Sequence, residues 1–260
     1  ITEYRKMILA WKAAGVITYA GYILGFPADT PESIREDIEI IKKELPLDIL
    51  EFFCLTPLPG SEDHKVLWQK GIAMDSDMNK YDLEHVVTGH TKMSQAQWEG
   101  IYLSAWKIFY TPDHIETILR RAAAFDIGVS HLASHLWIFS KAVEIEKMHP
   151  LQTGIFRRRY RRDRRYGMPI EPVWSFYPKR LWEIASKNAQ LAWAYYKIDS
   201  KLRGVRKSAM RHEYMDAALA PVVDDETETL ELFTYNEGAR NEVVRTRKIA
   251  ELTGGGGKSL

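Results

Sequence analysis

Two hundred and sixty residues (30.1 kDa), 45% hydrophobic and 27% charged, suffice to bury a core over most of the chain and exclude general disorder. One cysteine, Cys54, excludes a disulfide framework, a multi-cysteine zinc site and an iron–sulfur cluster held by this chain alone, and fits a reducing cytoplasm. The net charge of +1 conceals an uneven split: residues 1–150 carry −6, residues 151–210 carry +11 and residues 211–260 carry −4.

The chain enters a helical pattern at Ile1 with neither initiator Met nor signal peptide, and reads as a fragment. Tyr4 to Ala14 places Met7, Ile8 and Trp11 at helical spacing and stops at Gly15. Val16 to Phe26, rich in β-branched and aromatic residues, is a buried strand closed by Gly25-Phe26-Pro27. Thr30 as N-cap with Pro31 opens a helix whose Ile34, Ile38 and Ile41 share a face, and Asp48 to Thr56 returns to strand. Short links between such elements predict parallel strands with helices packed outside them. After Pro57-Leu58-Pro59-Gly60 the texture turns helical: Ser61 to Lys70, Ser94 to Tyr110 with a Ser94/Gln97 capping box, Pro112 to Phe125, Ser130 to Lys147 and Pro178 to Val205. No run reaches the roughly 18 uninterrupted apolar residues of a spanning helix. The longest, Ile127 to Val143, is broken by His131, Ser134, His135 and Lys141. No 20–50-residue repeat is present. The fold class is therefore α/β followed by mainly α.

Gly21-Tyr22-Ile23-Leu24-Gly25-Phe26-Pro27, then Asp29-Thr30-Pro31-Glu32-Ser33, then Leu55-Thr56-Pro57-Leu58-Pro59-Gly60-Ser61, resembles the last two strands of the radical SAM barrel. The continuation through Tyr81-Asp82-Leu83-Glu84-His85 and the Tyr102 to Tyr110 helix is similar to the subgroup with an N-terminal cobalamin-binding domain. The resemblance covers about residues 1–125. It implies the closing part of a partial (β/α)6 TIM-like barrel with a helical C-terminal extension. That divides the chain into the barrel's end (1–73), a helical flank (74–128), a helical basic region (129–217) and an acidic, flexible tail (218–260).

In that family the barrel holds a [4Fe-4S] cluster and S-adenosylmethionine, whose reductive cleavage gives a 5′-deoxyadenosyl radical. The resemblance places Gly21, Ile23 and Gly25 against the adenine, with Leu55, Thr56 and Pro57 closing the pocket. Glycine lets a flat ring approach the backbone and an aliphatic side chain offers an apolar face. Ala28 stands where the family often carries a Glu, so a carboxylate contact is not implied. The three-cysteine loop and the methionine-binding segment belong upstream of Ile1 in this family; the chain alone is expected not to cleave S-adenosylmethionine, and its upstream part is an implied partner. Cobalamin is a further implied cofactor, methyl transfer the implied subclass, and the substrate a small molecule or lipid. No catalytic residue can be named.

Cys54 reads as a small core residue. His85, His90, His131 and His135 lack a third ligand and read as core or surface histidines rather than a metal site. Arg157, Arg158, Arg159, Arg161, Arg162, Arg164 and Arg165 form a candidate anion-binding cluster. Three readings stand: a solvated face or partner for acidic residues such as the tail around Asp224 to Glu231, an anionic membrane surface, or nucleic acid. Tyr160 and Tyr166 suit the last two. Trp182, Trp193, Tyr195 and Tyr196 read as helix packing, with an interfacial membrane helix as the lesser alternative. The function expected is the C-terminal portion of a radical SAM enzyme in the cytoplasm, peripheral at the inner membrane surface if the arginines meet lipid. The alternative is a non-catalytic module docking an anionic membrane or nucleic acid.

Overall fold

The computed structural model describes residues 2–153, 159–164 and 166–221. Helix α1 (Thr2–Ala13) leads into strand β1 (Tyr19–Leu24), helix α2 (Pro31–Glu44) and strand β2 (Ile49–Cys54); α3 (Glu62–Gln69), α4 (Gln95–Phe109), α5 (Pro112–Ala124), α6 (Val129–Glu146) and α7 (Val173–Lys207) follow. The strands pair in parallel, Gly21 opposite Glu51 and Leu24 opposite Cys54. The chain thus begins with two parallel strands joined through a helix and continues in helices; β1, expected to be buried throughout, is exposed at Tyr19, Gly21 and Ile23 because one of its faces has no helix over it.

Each boundary has a local cause. Gly15, at φ +78°, ends α1 in the left-handed conformation that suits glycine, and its N–H is donated to the Lys12 carbonyl. Thr30 and Ser33 cap α2 reciprocally, with Pro31 at its first position, and Ser94 with Gln97 caps α4 in the same way. Helix α7 begins five residues before the expected Pro178. Pro172 caps it, Ser175 donates to the Glu171 carboxylate, and buried Phe176 anchors the first turn. A proline this near the N-terminus deletes one intrahelical bond, and the helix tolerates it.

Successive side chains alternate between the sheet's faces. Ala20, Tyr22 and Leu24 with Leu50, Phe52 and Cys54 form the packed face, covered by Ile34, Ile38 and Ile41 of α2 and by Trp98, Ile101, Ala105, Trp106 and Phe109 of α4. The Phe52 ring meets Trp106 edge-on at 5.3 Å. The other face carries Tyr19, Gly21 and Ile23 beside Ile49, Glu51 and Phe53. The outer edge of β2 is sealed: the Tyr110 hydroxyl donates to the Leu50 carbonyl at 2.8 Å and accepts its N–H at 3.1 Å, while the Cys54 N–H is donated to the Leu83 carbonyl. Among the described residues no third strand pairs with β1.

A buried ion pair joins the first three elements. Lys12 donates to Asp48 at 2.6 Å, and the other Asp48 oxygen accepts the Thr18 N–H and hydroxyl. Burial drives the Lys12 pKa down despite Asp48. Residues 216–220 are pinned by Arg121, which donates to Asp216 and to the Lys42 and Leu45 carbonyls, and by Arg5, which donates to the Ala217 and Ala220 carbonyls; Ala218 and Leu219 are buried, so the start of the segment expected to be a flexible tail is held to the core.

Candidate functional site

At the C-terminal ends of the two strands, Leu55 donates its N–H to the Leu24 carbonyl at 2.9 Å and so carries the ladder past β2. The turn after β1 is organised by buried Asp29, one oxygen of which accepts the N–H groups of Gly25 and Phe26, both at 2.8 Å. The carbonyls of Phe26, Pro27 and Ala28 are engaged by His90, Thr91 and Lys92. This turn is rigid because every one of those groups is partnered.

The six residues expected to face an adenine separate into three kinds. Gly21 and Ile23 lie together on the uncovered face of β1, Ile23 being 45% exposed. Leu55, Thr56 and Pro57 continue from β2 beside Gly25; the Thr56 hydroxyl donates to its own strand at the Cys54 carbonyl, and Pro57 is buried. Gly25 is different. It has φ +104°, and a Cβ there would fall on the Trp98 indole. A flat ring does press on Gly25, but that ring belongs to α4.

Cys54 is fully buried, and burial pushes its thiol pKa up to about 12. His85 pairs with Asp82 at 2.9 Å, His90 caps the turn just described, and His135 meets the His131 carbonyl. Among the described residues no three His, Cys, Asp or Glu side chains gather as a metal would require.

Two polar residues that composition did not single out meet on the second face where it is covered over β2. Glu51, in the middle of β2, is 3% exposed, and His149, just past α6, is 5% exposed. The His149 Nε2 lies 3.8 Å from Glu51 Oε1, and neither atom has a hydrogen-bond partner in the protein. The imidazole stacks on Phe53 at 5.3 Å and meets the Trp106 edge at 5.5 Å. Its Nδ1 accepts the Leu151 N–H, which assigns the ring proton of the neutral form to Nε2. Burial raises the Glu51 pKa to about 7 and lowers that of His149.

Of the arginine cluster, Arg157, Arg158 and Arg165 fall outside the described residues, as does the tail around Asp224 to Glu231. Arg159 approaches Glu183 at 3.6 Å, Arg161 donates to the Glu171 carbonyl at 2.9 Å, and Arg164 lies 3.9 Å from the Glu171 carboxylate and over the Phe176 ring. Arg162 is exposed. The described arginines thus lean toward the first turns of α7. There, Trp174, Leu181 and Trp182 are 80%, 67% and 74% exposed, with Tyr177 and Ile184 on the same stretch. Trp182, Trp193, Tyr195 and Tyr196, expected to pack, are exposed instead, because α7 packs through the stripe Leu191, Ala194, Ile198, Leu202 and Val205 and these rings lie off it; Trp193 stacks on Tyr196, and Tyr195 alone of the four meets a neighbouring helix, at the Trp137 ring. No helix among the described residues is long and apolar enough to cross a membrane.

No protein-family model, curated protein or solved structure matches the chain.

Proposed function

We propose that the chain closes a radical SAM-type barrel, β1 and β2 being its last strands and Gly21 and Ile23, with Leu55 to Pro57 beyond, its adenine-side wall. The observation that supports the reading is the unfinished sheet: two parallel strands, packed by α2 and α4 on one face, with β1 unpaired on its outer side among the described residues and Gly21 and Ile23 exposed on the other face. Parallel sheets are ordinarily multi-stranded and covered on both faces, so this geometry calls for further strands. Gly21, exposed although the Phe53 ring flanks it 3.0 Å from where a Cβ would start, offers part of its backbone to a flat ring and Ile23 an apolar flank, which suits a purine; Gly25, filled by Trp98, holds the turn instead. The chain's one thiol is buried, so cysteines elsewhere would hold the [4Fe-4S] cluster. In the completed enzyme the cluster and S-adenosylmethionine supply radical chemistry at an unactivated carbon, with cobalamin as methyl carrier. The role of these residues is to position and to exclude water.

The chain itself tests the wall. In amide NMR, adenosine should shift Gly21, Ile23 and Leu55 saturably, and Ile23→Asp should abolish the response. Shifts confined to other regions, or none, would reject the wall. Anaerobic reconstitution with iron and sulfide should yield no stoichiometric cluster absorption that survives Cys54→Ala.

A second reading is supported by α7: docking to an anionic membrane surface at the cytoplasmic side. Trp and Tyr suit headgroup depth, Leu181 and Ile184 add aliphatic contact that gives nothing to base stacking, and exposed Arg162 favours anionic lipid by about 1 kcal/mol, with Arg159 and Arg164 adding less because each faces a carboxylate. This favours lipid over nucleic acid. Co-sedimentation with phosphatidylglycerol vesicles should weaken with salt and fall severalfold in Trp174→Ser/Leu181→Ser/Trp182→Ser. Retention of RNA or DNA without vesicle binding would reverse the choice.

A further inference from the structure

Charges of one sign are costly to gather, and at the junction of α5, α6 and α7 the fold gathers them around an open space. A cavity of about 400 Å³ is lined there by Arg206 at the end of α7, by Arg211 just beyond it, and by Ile127, Ser130 and His131 where α6 begins. The Arg206 guanidinium donates to the Ser130 hydroxyl and Arg211 donates through Nε to the His212 ring, so each is held in place by an uncharged acceptor. Among the described residues no carboxylate lies within ion-pair distance of either; Asp126, the acid in the lining, is 80% exposed and faces His212 at 3.6 Å. The backbone adds charge of the same sign. Helix α6 starts at Gly128 with no side-chain cap and no acidic residue in its first turn, and the Val129 and Ser130 N–H groups have no acceptor among the described residues. The positive end of a helix dipole disfavours a cation, yet Arg206 is bonded into that turn. An anion between the two guanidiniums and the turn converts each of these repulsions into an attraction.

We propose that the cavity binds the phosphate group of a small soluble phosphate ester. The forks of Arg206 and Arg211 match phosphate oxygens, and the Val129 and Ser130 N–H groups with the Ser130 hydroxyl complete the donors. Phosphate suits the set better than carboxylate, because donors arriving from α6, from α7 and from the segment after α7 call for three terminal oxygens and up to two charges. The volume falls in the range of small-molecule sites, and buried Ile127 offers an apolar wall to the rest of the ester. On the other side of Arg211 an adjoining cavity carries Glu213 and Glu116, the latter engaged by Lys201 and Arg120, so the anion is directed to the Arg206 side. Trp174, on the aromatic stretch of α7, lies about 48 Å away along the helix at 1.5 Å per residue, which makes the two ends separable by mutation. The site goes beyond the barrel reading and needs no cluster, S-adenosylmethionine or additional strand.

The test titrates phenyl phosphate into the full chain at fixed ionic strength, read by amide and arginine Nε NMR. The Val129, Ser130 and Arg206 resonances should shift saturably, with benzenesulfonate, the same ring bearing a single charge, at least about fivefold weaker. Arg206→Gln and Arg211→Gln should each weaken phenyl phosphate about tenfold, the factor for one hydrogen bond to a charged group, while Trp174→Ser/Leu181→Ser/Trp182→Ser should bind it as the wild type does. Gly128→Asp places a carboxylate cap on the same N–H groups. Gly128 has φ −58° and a Cβ there would meet nothing within 4 Å, so this variant should keep the fold, unfold at a higher temperature and lose phenyl phosphate altogether. Equal responses to phenyl phosphate and benzenesulfonate, unchanged affinity in Arg206→Gln, or unchanged affinity in Gly128→Asp would overturn the proposal. Phosphatidic acid vesicles form the second arm: a Ser130 response to them with none to phenyl phosphate would assign the phosphate to a lipid headgroup and reject a soluble ligand.

Discussion

Gly25→Ala isolates what the turn after β1 requires. At φ +104° an L side chain costs about 1–3 kcal/mol in backbone strain. The added methyl also falls on the Trp98 indole, a 1%-exposed ring that His90 borders edge-on at 5.3 Å, so it cannot swing aside; overpacking of this kind costs about 1–3 kcal/mol more. The expected loss is roughly 4 kcal/mol, a large share of a typical domain's 5–15 kcal/mol. Urea unfolding followed by far-ultraviolet circular dichroism reads it directly. Repeating the substitution in a Trp98→Leu background removes the steric part and should leave about 2 kcal/mol, the difference being the coupling between the two positions. A loss below about 1 kcal/mol, or the same loss in both backgrounds, would refute the reasoning. The consequence for function is direct: a Gly25 variant that weakens ligand binding reports a collapsed turn, whereas Gly21 and Ile23 report the wall.

His114, buried against Phe109 at 4.7 Å, has its pKa lowered to about 3 by burial and by the Arg121 and Lys42 charges. Between about pH 6.5 and 3 the unfolded chain therefore binds a proton that the folded chain refuses, so stability falls as pH drops, by roughly 4–5 kcal/mol at the low end. Urea midpoints from pH 7 to 4 should fall steeply in the wild type and much less in His114→Leu, and parallel slopes would exclude His114 as the cause. Asp48→Ala strands the Lys12 ammonium in the core and should cost about 3–5 kcal/mol, part of which Lys12→Met in the same chain should recover; an unrecovered loss would place the cost in the Thr18 hydrogen bonds instead.

What could be read in the residues beforehand was whatever is local. Thr30-Pro31, Ser94 with Gln97 and Thr111-Pro112 each signal a helix start because the cap and its partner lie within a single turn, and all three helices begin there. The parallel pairing of β1 and β2 follows from the helical length between two apolar runs. The long-range partners were hidden. Nothing near Gly25 announces Trp98, more than seventy positions on, so the glycine's need for space was legible while the occupant of that space was not. Glu51 carried a signal that went unused: one carboxylate inside Ile49-Leu50-Glu51-Phe52-Phe53-Cys54, a run whose other members are all apolar, sits where a charge is most costly. His149 carried none, since its meaning arises only when α6 returns its C-terminal end to the sheet and lays the ring on Phe53. The same physics makes the pair informative: an acid and a base buried 3.8 Å apart, the base fixed through its far nitrogen, are two costly groups that the fold sets against each other.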